Sequence, residues 1–199
     1  QTSAGGRTHL CEVGVPHYTP PELQTLKSFA SAHRTPNHDN FGLAVLIFHL
    51  LFGGRHPFAG VPLANGVGDT LEDNIRHHRY AYASNASARQ IAPPPNSIPM
   101  SLVPSAMREM FERAFTEVGS QGNRPSAKEW VDALDLLRRN LKQCSKGPIH
   151  QFSAHLHSCP WCSLQQQSLV HFIALGAAGS DFALISPQDA RYAINQIPV

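Results

Sequence analysis

Between Leu43 and Phe52 the chain reads LAVLIFHLLF, and His49 is the only polar side chain in the run. A helix that is apolar on every face has to be buried on every face, so this stretch is expected to be the central post of a helical domain. It is too short to cross a bilayer, which takes about 20 apolar residues. The flanking residues mark its ends. Asp39 is an N-cap candidate, Gly53 and Gly54 suit a left-handed exit, and Pro57 forbids continuation.

The rest of the chain supplies helices to pack around that post. Met107, Met110, Phe111, Ala114 and Phe115 recur at the three- and four-residue spacing of one apolar face, which predicts a helix within 104–117. Ser126 and Glu129 form a capping box opening a further helix, along which Trp130, Leu134, Leu137 and Leu141 make a stripe. Arg138, Arg139 and Lys142 sit where the helix dipole is negative. Residues 1–12 read as a loop, and 23–38 as a short helix followed by a polar loop. Residues 59–98 read as irregular chain, with one helix near Leu71–His78 and an extended stretch imposed by Pro93, Pro94 and Pro95. At 199 residues this is one domain, or one domain with an appendage.

Composition excludes more than it assigns. A net charge of +2 is too mild to argue for nucleic acid or an anionic membrane as partner, although 12 histidines add positive charge in acid. No basic region followed by an apolar core and a small-residue cleavage site is visible, and the chain is read as cytoplasmic.

The most specific chemical signal is Cys144-x5-His150-x8-Cys159-x2-Cys162. Two thiolates separated by two residues grip one metal ion from a single turn. Cys144 and a loop histidine complete a three-sulfur, one-nitrogen set typical of structural zinc. His150 is the first choice for the nitrogen ligand, His155 is the alternative, and His157 lies too close in sequence to Cys159. Two other readings stay open, a redox dithiol and a disulfide. The first normally follows a strand in a βαβ setting, and the second requires an oxidising compartment. With four protein ligands the site would be closed, structural and not catalytic.

A family resemblance rests on several of these stretches together. Asp39, Phe41, Gly54, Arg55, Pro57 and Phe58 resemble the central helix of the C-terminal lobe of protein kinases and its Gly-Arg-x-Pro-Phe exit. Ala44 stands where kinases usually have Gly, and Gly53-Gly54 carries one residue extra. Gly14, Pro16, Tyr18, Pro21 and Glu22 resemble the end of a kinase activation segment, with Val15 in place of the usual Thr and Pro20 in place of Ala. Arg124-Pro-Ser-Ala resembles the start of the last helix of the kinase fold. The cysteine tail narrows the resemblance to bacterial Ser/Thr kinase-like proteins ending in a Cys-Pro-Trp-Cys zinc module. Genes for these are found beside those of von Willebrand factor A-like proteins and metal-dependent protein phosphatases, in stress contexts.

The resemblance covers about residues 7–162 and implies a mainly α fold, a kinase C-lobe-like helical domain followed by a small zinc-binding module. Residues 1–38 would be an activation-segment-like loop, 39–143 the helical domain, 144–162 the zinc module and 163–199 a tail suited to a partner. It implies an ion pair between Glu22 and Arg124, an anchoring role for Asp39, and a substrate loop at Gly14, Val15, Pro16 and Tyr18. No Gly-x-Gly-x-x-Gly, His-Arg-Asp or Asp-Phe-Gly occurs, and the chain starts about where a kinase has just passed its metal-binding Asp. This chain alone is therefore expected to be inactive, with no catalytic residues, and ATP and Mg belong to an intact parent. The alternative is a non-catalytic kinase-like scaffold whose zinc tail docks a partner protein. Expected partners are a protein substrate, a von Willebrand factor A-like protein or a phosphatase, with no membrane and no nucleic acid.

Overall fold

The computed structural model describes residues 2–4, 7–9, 13–68 and 70–167. It is helix-rich, with a few very short strands: β1 (Thr2–Ala4), β2 (Arg7–His9), α1 (Pro36–Leu51), β3 (Val61–Pro62), α2 (Leu71–Arg76), β4 (Ile91–Ala92), α3 (Ser105–Phe115), α4 (Ala127–Arg139), β5 (Leu141–Gln143), β6 (Gln151–Ser153) and α5 (Pro160–Gln167). The strands pair two by two, and β3 runs antiparallel to β4 with Val61 opposite Ala92. The chain divides into one unit up to Leu141 and a second from Lys142 onward.

In the first unit, α1 is the post against which the aromatic core is built. Phe48 stacks on Phe52 at 4.2 Å between ring centroids and meets Phe111 of α3 edge-on at 5.2 Å. Phe111 in turn lies 4.9 Å from Trp130 of α4, so the three helices share one continuous cluster of rings. Offset and edge-on contacts of this kind stabilise beyond the area they bury. The opening of α4 follows its sequence. Ser126 Oγ accepts from the Glu129 amide at 3.3 Å, and Glu129 returns the bond by accepting from the Ser126 amide at 2.8 Å. The Ser126 bonds, with help from Arg113, hold the Glu129 carboxyl down at about 2.

Several sequence expectations are corrected. Helix α1 starts at Pro36 with Thr35 as its N-cap, so Asp39 lies in the first turn and is not the cap. Pro36 has no amide to leave unpaired and its φ is already helical, while the Thr35 amide donates to His38 Nδ1 at 3.1 Å. No helix forms in 23–34. Pro21–Leu23 makes a single 3-10 turn and the following residues are turns and loop. Residues 2–4 and 7–9 pair antiparallel, with Thr2 opposite His9, where a loop is expected. Helix α2 stops at Arg76, with His78 at a φ of 52° just beyond. Leu141 lies past the end of α4 and 38% exposed, so the stripe ends at Leu137. The region 59–98 is irregular, yet Ile75, Tyr80, Ala81, Tyr82 and Ile91 from it are buried in the core. The apolar run Leu169–Ala178 and the tail beyond it lie outside the described residues.

Helix α1 is also not buried on every face. Phe41, Ala44, Val45, Ile47 and Phe48 are buried, but Leu46 is 49% and Leu50 85% exposed. No helix among the described residues is long and apolar enough to cross a membrane.

Candidate functional site

In the first unit two features involve the residues singled out from sequence. Arg124 enters just before α4, and its side chain is fully enclosed, whereas that of Glu22 is 24% exposed. The guanidinium makes a forked contact with the Glu22 carboxylate, Nη1 to Oε1 at 2.5 Å and Nη2 to Oε2 at 2.8 Å, across 102 residues of sequence. Its Nε donates to the Ala114 carbonyl at 3.2 Å and Nη1 also to the Asn37 carbonyl at 3.2 Å, while the plane lies over Phe41. Ser120 Oγ donates to Glu22 Oε2 at 3.1 Å. Burial pushes the Glu22 carboxyl up, but the Arg124 bonds and charge outweigh it and hold the group below its usual value. Sequence reading missed Asn37 and Ser120. Asn37 spans the junction, accepting from the Arg124 amide at 3.1 Å and donating to the Gly119 carbonyl at 2.9 Å.

Gly14, Val15 and Tyr18 line an open groove of about 530 Å³ together with Asp39, Leu43 and Leu46. Pro16 starts the 3-10 turn Pro16–Tyr18 beside it. The segment is held from behind. Gln24 Nε2 donates to the carbonyls of Pro16 at 2.7 Å and Thr19 at 2.8 Å, and Arg34 Nη2 donates to the Val13 carbonyl at 2.6 Å. Gly14 packs so tightly that a Cβ there would lie 2.8 Å from Arg34 Nη2 and 3.0 Å from the Phe29 ring. Asp39 is exposed at the groove.

In the second unit Cys144, His150, Cys159 and Cys162 bring their donor atoms within 4.8 Å of one another. Cys144 leaves β5, His150 closes the β5–β6 turn, and Cys159 and Cys162 bracket the start of α5. The Sγ atoms of Cys144 and Cys162 are 3.6 Å apart, and His150 Nδ1 lies 3.5 Å from Cys162 Sγ and 3.7 Å from Cys159 Sγ. A tetrahedral ion with ordinary zinc bond lengths would set sulfur–sulfur edges of about 3.8 Å and sulfur–nitrogen edges of about 3.6 Å. The donor set and its spacing therefore fit a metal such as zinc. His155 is outside this cluster and its Nδ1 lies 2.8 Å from Ser153 Oγ.

The loop around the cluster is shaped by residues that the cysteine spacing alone does not reveal. Gln143 Nε2 donates to the carbonyls of Gly147, Pro148 and His150 at 2.8–3.1 Å, and the Cys144 amide donates to the His150 carbonyl at 2.9 Å. Gly147 has to lack a side chain, because a Cβ would sit 2.5 Å from His150 Nδ1. The Lys146 amide points at Cys144 Sγ at 3.3 Å and draws that thiol down to about 7, while the bond to Cys144 pushes the Cys162 thiol up to about 11. Trp161 Nε1 donates to the Gln151 carbonyl at 2.6 Å, tying α5 to β6.

No family model matches the chain, and no solved structure matches it significantly. Two curated relatives do match. Protein kinase YegI of Escherichia coli (strain K12) is 56% identical over 188 residues, and Protein kinase YegI of Escherichia coli O157:H7 is 55% identical over the same length. Each match takes in 92% of this chain, which spans only 29% of the relative's length. The chain is thus similar, over nearly all of its own length, to a segment of two bacterial proteins named as protein kinases, and its kinase-like kinship rests on them.

Proposed function

We propose that these residues are the C-lobe portion, with a zinc-binding tail, of a longer bacterial Ser/Thr protein kinase. The portion holds protein substrate and regulatory partner while the rest of the parent binds Mg-ATP and transfers phosphate. The observation that carries this reading is the forked Arg124–Glu22 pair, which ties the Pro21-Glu22 turn to the start of α4 as the kinase resemblance implies. Two further features support it. The face of α1 carrying Leu46 and Leu50 is apolar and open, as a lobe surface that receives another part of a larger protein would be. Asp39 presents its carboxylate at the same groove, where it would anchor that part. Gly14, Val15, Pro16 and Tyr18 would meet the substrate. Within the kinase reading, 39–143 would be the helical domain and 144–162 a structural zinc module working in the cytoplasm.

Val15 favours a second reading. Kinases usually carry Thr there, and valine has no hydroxyl to offer a catalytic loop. On this reading the lobe is a scaffold whose zinc tail docks a partner such as a von Willebrand factor A-like protein or a phosphatase.

The test compares this chain with its full-length gene product. Mg-ATP binding by calorimetry should be absent from the 199 residues and present in the parent, which should also transfer labelled phosphate to protein. Leu50→Glu should leave the stability of the short chain within about 0.5 kcal/mol, as for any exposed site, and should destabilise or inactivate the parent. A parent that binds no ATP would overturn the kinase reading in favour of the scaffold. Micromolar Mg-ATP binding by the short chain would overturn both.

A further inference from the structure

We propose that the cysteine cluster is also a site of reversible oxidation, at which a peroxide joins Cys144 to Cys162 and expels the metal. The proposal rests on the metal reading given above and adds a modification to the same site. Three observations carry it. The Cys144 and Cys162 sulfurs are in contact at 3.6 Å, and His150 Nδ1 stands 3.5 Å from the Cys162 sulfur and 3.7 Å from that of Cys159. Cys144 is buried, while Cys162 is half-buried and open to attack. A cleft of about 440 Å³, walled by Lys142, Lys146, His157 and Ser158, opens directly onto the sulfurs, so a molecule as small as hydrogen peroxide reaches them.

The chemistry balances with hydrogen peroxide as the oxidant. In the metal-loaded site Cys162 is held deprotonated as a ligand, and its thiolate attacks one peroxide oxygen, the O–O bond breaks, hydroxide leaves and a sulfenic acid forms. The Cys144 thiolate then attacks that sulfur, the S–S bond forms, and the S–O bond breaks with loss of a second hydroxide. The two sulfurs together give up two electrons, and the hydroxides take protons from solvent to become water. Because the sulfurs already touch, the bond needs them to close to about 2.05 Å, a movement of side chains. Only His150 and Cys159 then remain as donors. Two ligands do not make a closed tetrahedral site, so the ion leaves as the aquo species. A dithiol reductant and fresh metal restore the starting state.

The experiment uses the full 199-residue chain reduced and loaded with zinc, its metal content measured first. Hydrogen peroxide is added stepwise, zinc release is followed with a chromogenic chelator, and the products are digested and mapped by mass spectrometry. The expected result is release of the bound zinc in step with a Cys144–Cys162 cross-linked peptide, both reversed by dithiothreitol and zinc. Cys144→Ser, mapped in parallel, should stop at the sulfenic acid of Cys162. A bridge joining Cys159 to Cys162, a bridge to Cys11, or zinc retained while other residues oxidise would each overturn the oxidation proposal. A reduced chain that takes up no zinc would overturn the metal reading and the release step with it.

Discussion

The contact whose energy can be worked most directly is Arg124–Glu22, and Arg124→Ala probes it. The arginine side chain is fully enclosed and supplies five donor contacts, two to Glu22 and one each to the Ala114 carbonyl, the Asn37 carbonyl and Ser120 Oγ. Removing one partner of a buried pair costs about 3–5 kcal/mol, most of it the charge left stranded. Glu22 keeps some solvent access and its bond from Ser120, so the low end, about 3 kcal/mol, is the expected loss. With a urea slope of about 2 kcal/mol per molar, the unfolding midpoint should fall by about 1.5 M. The assay is urea titration in a Trp161→Phe background, where Trp130, packed against Phe111, alone reports the first unit. The carboxyl of Glu22 is held below its usual value, so the pair's contribution is present above the unfolded pKa of about 4.3 and fades as pH falls through the lower folded value. The variant should therefore lose less at pH 3 than at pH 7. A double-mutant cycle with Glu22→Gln should show coupling of about 1–3 kcal/mol. A midpoint shift below about 0.5 M, or additive single mutants, would refute the assignment of this pair as the clasp between the Pro21-Glu22 turn and α4.

Other positions test the packing around that clasp. Gly119→Ala would run its Cβ into the Arg113 carbonyl and come within 3.0 Å of the Arg124 side chain, so it should weaken the same clasp and lower the urea midpoint without removing a charge. Phe48→Ala leaves a void among the rings of Phe52, Tyr82 and Phe111 and should cost about 3–5 kcal/mol by the same titration. His56 is buried, which outweighs the help of the His17 carbonyl and depresses its pKa to about 4. A histidine neutral in the fold and protonated in the open chain loses stability as pH falls from about 6.5 toward 4, and the full contribution is present only above that window. Stability measured from pH 7 to pH 4 should drop accordingly, and the drop should shrink in His56→Gln; an unchanged pH dependence in that variant would count against it.

The features legible in the sequence were those fixed by local periodicity or by a reciprocal pair close in the chain. The Ser126–Glu129 capping box, the α3 stripe ending in Phe111 and Phe115, and the spacing of the metal-site cysteines all belong to this class. The start of α1 was signalled too, by Thr35-Pro36, but a polar run followed by Asp39 reads equally well as loop and cap. What was not legible depends on distant chain. Tyr80, Tyr82 and Ile91 carry no period because they reach the core from turns and a two-residue strand. His150 and His155 have nearly equivalent sequence positions. Gly147 and the three hydrogen bonds donated by the Gln143 amide fold the loop so that His150, and not His155, joins the sulfurs.

The open face of α1 shows how a correct physical premise leads to a wrong local expectation. An all-apolar helix does demand burial all round, because each exposed leucine forgoes about 1.5–3 kcal/mol that burial would contribute. Leu50 forgoes nearly all of it and Leu46 about half, and Val15 and Tyr18 beside the groove at Leu46 are exposed as well. The opposite side of α1 is covered by rings from α3 and the irregular region, so the domain folds around a helix satisfied on one side only. A hydrophobic pattern thus reports the environment in which a helix is used, and the lobe reading proposed above would supply the missing cover of α1 from other chain. This is why the Leu50→Glu comparison discriminates. A self-sufficient domain would respond alike in the short chain and the parent, whereas a lobe completed by other chain would respond only in the parent.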